Sequence, residues 1–386
     1  MRIVVTVHDL GIGGTQTYAL TVAEQLQRLG HEATIHTDGP GPMAEVVHQR
    51  GIPLALTEAE LPDKVDALIV QDGAMSYRMA ELFPSAPQLF RGPSEMFDLQ
   101  LPPQLPGVVG ALMAVSDRSA DRLRALAGER EVIRLRQPID TERFAARGAI
   151  RDRPRRAALL GTYLDDVRLR MLRDAWEPEG VECVQLSSAL EPEAVLADAD
   201  IVVAKGKAAL EGMACSRAVF VYDQFGCDGW VTPATYPALE ADNFAGLATD
   251  AMATPATLRG ALDAFDPEMG VVNRDLITTH HSARRHAYEL VELLRDLVPT
   301  DVVAKAPLRE LARLVRVQWA TESRAFRQAR ENTALHARLI EVDEAREAAQ
   351  RAAIAAERRY SDLLATRRHR LASAVGRIAD RVRGGA

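Results

Sequence analysis

Residues 201–223 read IVVAKGKAALEGMACSRAVFVYD, and the alternation inside this stretch decides the fold class. Ile201–Ala204 and Ala218–Tyr222 are short apolar runs rich in β-branched residues, the pattern of buried strands. Between them lies a Gly-Lys turn and a helix pattern over Ala208–Cys215, closed by Ser216 and Arg217. This is a strand–helix–strand unit with one acid, Glu211, in the first half of its helix. Unpaired N–H groups point outward at a helix N-terminus, so the approach loop Lys205-Gly206-Lys207 suits a phosphate group. A nucleotide-linked substrate is expected here.

The same alternation extends in both directions. Ile3–Val7 reads as a strand, and Leu10-Gly11-Ile12-Gly13-Gly14 as a loop. Thr15 is placed to cap a helix whose apolar positions are Ala19, Leu20, Ala23, Leu26 and Leu29, stopped by Gly30. Ala33–His36 is the next strand. A dinucleotide fingerprint would need Gly or Ala at position 16, which is Gln16, so a dehydrogenase reading is disfavoured even with Asp38 available as a ribose acid. Further strands are expected at 67–70, 88–90, 112–115, 132–135, 157–160 and 182–186, with helical patterns between most of them. The fold class is α/β, as two Rossmann-like domains over residues 1–150 and 151–298. Open α/β sheets place ligands just past strand C-termini. His8, Asp9, Gln71, Asp72, Arg91, Ser94, Glu95, Ser116 and Asp117 fall there, and Ser116-Asp117 reads better as a helix cap.

Composition sets the bounds. At 386 residues, with 47% hydrophobic and 26% charged residues, the chain is of ordinary globular character and long enough for two cores. No run approaches the ~18 apolar residues that span a bilayer. Cys183, Cys215 and Cys227 lack metal-ligand spacing, so reduced thiols, no structural metal and a cytoplasmic setting are expected. The formal charge of −7 divides unequally: residues 301–386 carry +7 and the rest −14. An acidic body argues against nucleic acid as a partner.

Residues 299–386 form the appendage. Leu335, Leu339, Val342, Ala349, Ala353, Ala356, Tyr360 and Leu363 follow alternating three- and four-residue steps, interrupted in register by Arg346 and Arg367. A long helix able to pair as a coiled coil in a homo-oligomer is expected. Beyond Arg367, Leu371, Val375, Ile378 and Val382 share one helical face among arginines, which suits an anionic membrane surface such as an inner face.

Three stretches carry a family resemblance: GIGGTQTYALTVAEQLQRLGHEATIHT, RQPIDTERF, and ADADIVVAKGKAALEGMACSRAVFVYD. In this order and spacing the chain resembles the GT-B glycosyltransferases, specifically the family 4-like retaining enzymes. The resemblance implies two facing domains with a cleft, the first for an acceptor and the second for a sugar-nucleotide donor. It implies transfer to a glycan or a lipid-linked cell-envelope acceptor. The nucleotide-diphosphate sugar is then a substrate, and no cofactor or metal is expected.

The family's Glu-x7-Glu motif maps its second, ribose-contacting glutamate onto Glu211 and its first onto Val203. The Arg and Lys that usually neutralise the diphosphate are missing from Gly161-Thr162-Tyr163-Leu164-Asp165-Asp166-Val167-Arg168, where Arg168 alone is left. Lys205 and Lys207 are the expected replacements. The expected donor set is Gly13, Gly14, Gly161, Arg168, Lys205, Gly206, Lys207, Glu211 and Asp228. His8, Asp9 and Lys205 are the expected catalytic groups, and Gln71, Asp72 and Glu95 the acceptor groups. Val203 and the two aspartates also fit a second class, a GT-B-shaped binding or scaffold protein acting through its coiled coil.

Overall fold

The computed structural model describes residues 1–92, 100–160, 164–186, 190–223, 226–249, 251–299 and 307–383. These form two compact units, Met1–Arg324 and Ala325–Ala386.

The first unit begins with β1 (Arg2–Thr6), α1 (Gly14–Arg28), β2 (Glu32–His36), α2 (Met43–Gln49), β3 (Leu54–Ala55) and β4 (Ala67–Val70). It continues through α3 (Gly73–Leu82), β5 (Gln88–Arg91), β6 (Ala111–Ala114), α4 (Asp117–Ala127) and β7 (Glu131–Arg134). The strands form one parallel sheet in the order β3-β2-β1-β4-β5-β6-β7. Side chains alternate across a strand, and β1 shows the consequence. Ile3 and Val5 join the core under α1 and α2, while Val4 joins the core on the opposite face with residues of α3 and α4.

The second sheet is built from β8 (Arg156–Leu160), α5 (Asp166–Trp176), β9 (Glu182–Leu186), α6 (Glu193–Asp198), β10 (Ile201–Ala204), α7 (Gly206–Ala214), β11 (Ala218–Asp223) and β12 (Gly226–Trp230). Its order is β12-β11-β10-β8-β9, parallel except for β12. Helices α8 (Tyr236–Ala241), α9 (Pro255–Asp263) and α10 (Glu268–His280) complete this domain. The chain then returns: α11 (Ala283–Asp296) places Leu290, Val291 and Leu294 in the first sheet's core.

The last helix, α12 (Leu308–Arg383), has 76 residues. Leu308 and Ala312 are buried in the first domain's core, with Leu311 and Val315 packed against it, so the opening turns of the appendage belong to the globular body. In the second unit, Leu335, Leu339, Val342, Tyr360 and Leu363 are each more than half exposed along one helix.

Two local expectations are corrected. Thr15 lies inside α1, whose N-cap is Gly13 with no side-chain cap. The stretch after β11, which carries no strand pattern in the sequence, contains the antiparallel edge strand β12. Glycines mask a strand's propensity signal, yet Gly226 is needed because a Cβ there would meet the Gly246 carbonyl oxygen at 2.0 Å.

Candidate functional site

At the second sheet, Lys205 alone connects β10 to α7. The turn is that tight because Gly206 adopts φ +55°, a left-handed conformation costly for other residues. Its N–H donates to the Phe244 carbonyl at 2.7 Å. Val203 is 1% exposed inside β10, paired with Leu159 and Phe220. No loop residue therefore stands where the family's first glutamate would be; the position is core.

Both lysines stand at the start of α7, and both have carboxylate partners. Lys207 Nζ pairs with Glu211 one turn on and lies 5.7 Å from the Phe144 ring centroid. Glu211 itself is only 8% exposed. Lys205 Nζ lies 3.5 Å from Asp223 Oδ2. Burial lowers the Lys205 pKa below its ordinary value, while Asp223 and then Asp242 pull against that shift.

Two other expected donor groups also have partners within the chain. Arg168 Nη1 is held 2.5 Å from Asp165, whose carboxylate also caps α5 through the Arg168 N–H. Asp228 accepts from Ala248 N–H, Thr249 N–H and the Thr249 hydroxyl at 2.8–3.2 Å. It orders residues 248–249. The Trp230 ring stacks parallel to Trp176 at 6.5 Å inside the core. Gly161 lies outside the described residues, as do Ser94 and Glu95.

At the first sheet, His8 and Asp9 follow β1 as an ion pair, Nε2 to Oδ2 at 3.1 Å. Burial pushes the His8 imidazole toward neutrality, but the hydrogen bond and charge of Asp9 and the charge of Asp72 outweigh it. The net pKa is above the ordinary histidine value. Burial also acts against the Asp9 charge, yet His8, the Gly11 N–H and the Gln16 amide hold its pKa down at about 2. Asp9 Oδ1 accepts from Gly11 N–H and Gln16 Nε2, both at 2.8 Å, so this carboxylate shapes the glycine loop as well as His8. Gly13 starts α1 in an extended conformation, and a Cβ on Gly14 would meet nothing within 4 Å. Neither glycine is required here by close contact with backbone.

Gln71 and Asp72, expected at the acceptor, are each 1% exposed. Gln71 Nε2 donates to the Thr6 carbonyl at 3.1 Å and its Oε1 accepts from Arg91 at 3.0 Å. Asp72 caps α3 through Met75 N–H at 2.7 Å. Interior hydrogen bonds therefore engage the Gln71 amide and one oxygen of Asp72. Burial raises the Asp72 pKa, opposed by the Met75 N–H, His8 and Arg316.

The start of α12 adds groups that the sequence left unassigned. The Trp319 ring meets His8 edge to face, with centroids 5.2 Å apart and planes at 72°. Arg316 Nη2 lies 2.5 Å from Asp38 Oδ2. The available signal was Leu308, Leu311, Ala312, Val315 and Trp319 at helical spacing, the mark of a packed face.

Ion pairs and hydrogen bonds join the ends of the two sheets. Arg118, just past the C-terminus of β6, lies with its Nε 2.5 Å from Asp242 and donates to the Leu247 carbonyl at 3.1 Å. Asp242 and Leu247 belong to the segment that holds Gly206 through Phe244. Arg134 adds two 2.6 Å contacts to Glu240. At the connection, His281 Nδ1 donates to the Gln137 carbonyl and His286 Nδ1 to the Arg136 carbonyl, both at 2.9 Å. Their Nε2 atoms accept from Tyr236 and Tyr18 at 2.9 and 3.0 Å. Burial is the leading cause that lowers these histidine pKa values, to about 4 and about 3. Among the described residues no group of three or more His, Cys, Asp or Glu side chains is placed to hold a metal ion. No described helix is long and apolar enough to cross a membrane.

No protein-family model matches the chain, and no curated protein sequence does. Solved structures do. Alr3699/HepE of Anabaena, in complex with UDP and glucose, superposes with a TM-score of 0.56 at 11% identity, over 77% of this chain and 100% of that one. A glycosyltransferase of Rickettsia africae ESF-5 gives 0.50 at 11% identity, over 79% and 99%. An alpha-glucosyltransferase in complex with UDP gives 0.50 at 12% identity, over 77% and 100%. Together with the two sheets and the returning α11, these likenesses show that the chain has the GT-B glycosyltransferase fold.

Proposed function

We propose that the protein is a glycosyltransferase that takes a sugar from a nucleotide-diphosphate donor, with UDP-sugars the first class to test. The observation that carries this reading is that Arg118–Asp242 joins the two sheet ends, with the His8–Asp9 pair beyond β1 on one and Lys205 at the start of α7 on the other. As the bond from the anomeric carbon to the diphosphate breaks, negative charge grows on the leaving oxygen. A fixed cation and N–H groups at the start of a nine-residue helix stabilise that charge. Lys205 and Lys207 supply the cations; a diphosphate would join Asp223 and Glu211 as a further anionic partner. Glu211 takes the ribose, as the family resemblance implies.

His8 contributes as a cation. Its Nε2 is engaged by Asp9, which leaves Nδ1 for the reacting groups, and its raised pKa favours the protonated ring. This suits transfer with retention, in which the acceptor oxygen bonds the anomeric carbon and its proton passes to the departing phosphate. On this reading activity declines as pH rises through the His8 pKa. A His8 acting as base would make it rise. The anomeric configuration of the product, read by NMR, decides the stereochemistry.

Saturation-transfer NMR across UDP- and GDP-sugars tests the donor reading. Binding followed by donor-dependent transfer supports it. The internal pairing of Lys205 and Lys207 favours a second reading, a GT-B-shaped binding protein, and no binding to any sugar nucleotide would select it.

The appendage supplies the partner proposals: a parallel self-pairing helix and contact with an anionic lipid surface. Leu335, Val342, Ala349, Ala356 and Leu363 occupy one core position of a heptad and Leu339, Ala353 and Tyr360 the other. Parallel pairing sets Arg338 opposite Asp343 of the second copy, an attractive contact across such a seam. Leu371, Val375 and Ile378 are each more than half exposed amid Arg367, Arg368, Arg370 and Arg377, which fits the lipid surface. Sedimentation of the full chain against residues 1–324 tests the first, and flotation with anionic vesicles the second.

A further inference from the structure

We propose that Arg143, in the connector between the two sheets, and Glu193, the first residue of α6, select the base of the nucleotide by meeting its hydrogen-bonding edge. This rests on the glycosyltransferase reading and adds the residues that set its donor specificity.

Two ion pairs meet at one phenyl ring. The Phe144 ring centroid lies 5.2 Å from the Arg143 guanidinium carbon and 5.7 Å from Lys207 Nζ. Arg143 pairs with Glu193, and Lys207 with Glu211. All four side chains are only 10–17% exposed. Charges so far withdrawn from water cost desolvation energy, and apolar side chains in their place would hold a fold as well. Stability alone therefore does not account for two such pairs at one ring. The pairs also feel each other: burial is the leading cause that lowers the Arg143 pKa, Arg50 adds to it, and Glu211 is first among the acids that oppose it.

The backbone that carries Arg143 is fixed on both sides. Asp140 Oδ1 accepts from the Glu142 and Arg143 N–H groups at 3.0 and 3.1 Å. Arg274 donates to the Thr141 and Phe144 carbonyls at 2.9 and 2.7 Å. Phe144 is buried in one cluster with Leu210 and Met213 of α7, so the connector and the Glu211 helix hold a set distance.

Ribose and diphosphate are common to all nucleotides, and only the base differs. With the ribose at Glu211, the base at its C1′ comes within reach of the charge pair one ring away. Arg143 has only donors and the Glu193 carboxylate only acceptors. Base edges differ in the order of these groups. Uracil and guanine carry a ring N–H beside a carbonyl; adenine and cytosine carry an unprotonated ring nitrogen beside an amine. A donor and an acceptor held side by side match one order and leave buried polar groups unpaired against the other.

The test is calorimetric titration of UDP, GDP, ADP and CDP into the full-length protein, with a melting curve on each variant. Wild type should bind its best nucleotide at least about tenfold more tightly than its weakest. Arg143→Met and Glu193→Gln should each narrow that range to within about threefold, by weakening the preferred nucleotide. Arg143→Lys, which keeps the charge but loses the planar fork, is read the same way if Arg143→Met does not fold. The proposal is overturned if wild type binds all four equally, if the variants keep its preference, or if they weaken every nucleotide by the same factor. A wild type that binds none of the four and no sugar nucleotide instead fails the glycosyltransferase reading itself.

Discussion

The two sides of the site are assembled in opposite ways. The proposed donor side comes almost entirely from one strand–helix–strand unit, in which Lys205, Gly206, Lys207, Glu211 and Asp223 are near neighbours in the chain. The other side gathers His8 and Asp9 from the end of β1 and Trp319 from the last helix. Local assembly makes the donor residues readable but hides their partners. Long-range assembly hides a residue's role until the fold brings it into place.

Val203→Glu breaks the comparison most sharply. Written back into the sequence, a glutamate there would restore the family's spacing; in the fold it would put a carboxylate into the core between Leu159 and Phe220. The variant should lose about 4 kcal/mol of stability in urea denaturation and gain no transfer activity. An active, stable Val203→Glu protein would mean that the donor side is built differently. His8→Asn probes the other side. It should reduce turnover about a hundredfold, the scale of a lost charge at a reacting centre, with donor affinity unchanged in the same titration.

The joint between the sides should respond to acid. The folded-state pKa values of His281 and His286, about 4 and about 3, lie below the ordinary 6.5. The unfolded chain therefore binds more protons between these values. Stability is full above about pH 6.5 and falls as pH drops below it, by about 2 kcal/mol per histidine at pH 5. Denaturation midpoints measured from pH 7 to 5 check this, and an unchanged midpoint would contradict it. The smallest expected effect is that of Asp9→Asn, which should lower the His8 pKa in an imidazole NMR titration. A His8 pKa that stays put would mean that Asp9 is not its controlling partner.

Much of the fold was legible because burial and period coincide. α5 and β9 begin and end where the apolar pattern does. β12 was hidden because Gly226 and Gly229 carry no strand signal. The site was legible only by location. Gln71 and Asp72 stand past a strand end, where ligands usually bind, but Gln71 is engaged by the Thr6 carbonyl and Arg91, and Asp72 caps α3 through Met75 N–H. Lys205 and Lys207 are where a diphosphate would need them, but nothing in their spacing reveals Asp223 as a partner across the turn. Trp319 lies in a stretch dominated by Ala, Arg and Glu, and its distance in sequence from His8 conceals the contact.

The central claim is that the α7 unit holds a sugar nucleotide. The most direct measurement is calorimetric titration of UDP-glucose and a panel of other sugar nucleotides into the wild-type protein and Lys205→Ala, with a melting curve on each. The predicted result is saturable binding of at least one donor to wild type, weakened about tenfold or more in a folded Lys205→Ala. Wild-type protein that binds no sugar nucleotide, or a Lys205→Ala variant that binds as tightly as wild type, would contradict it.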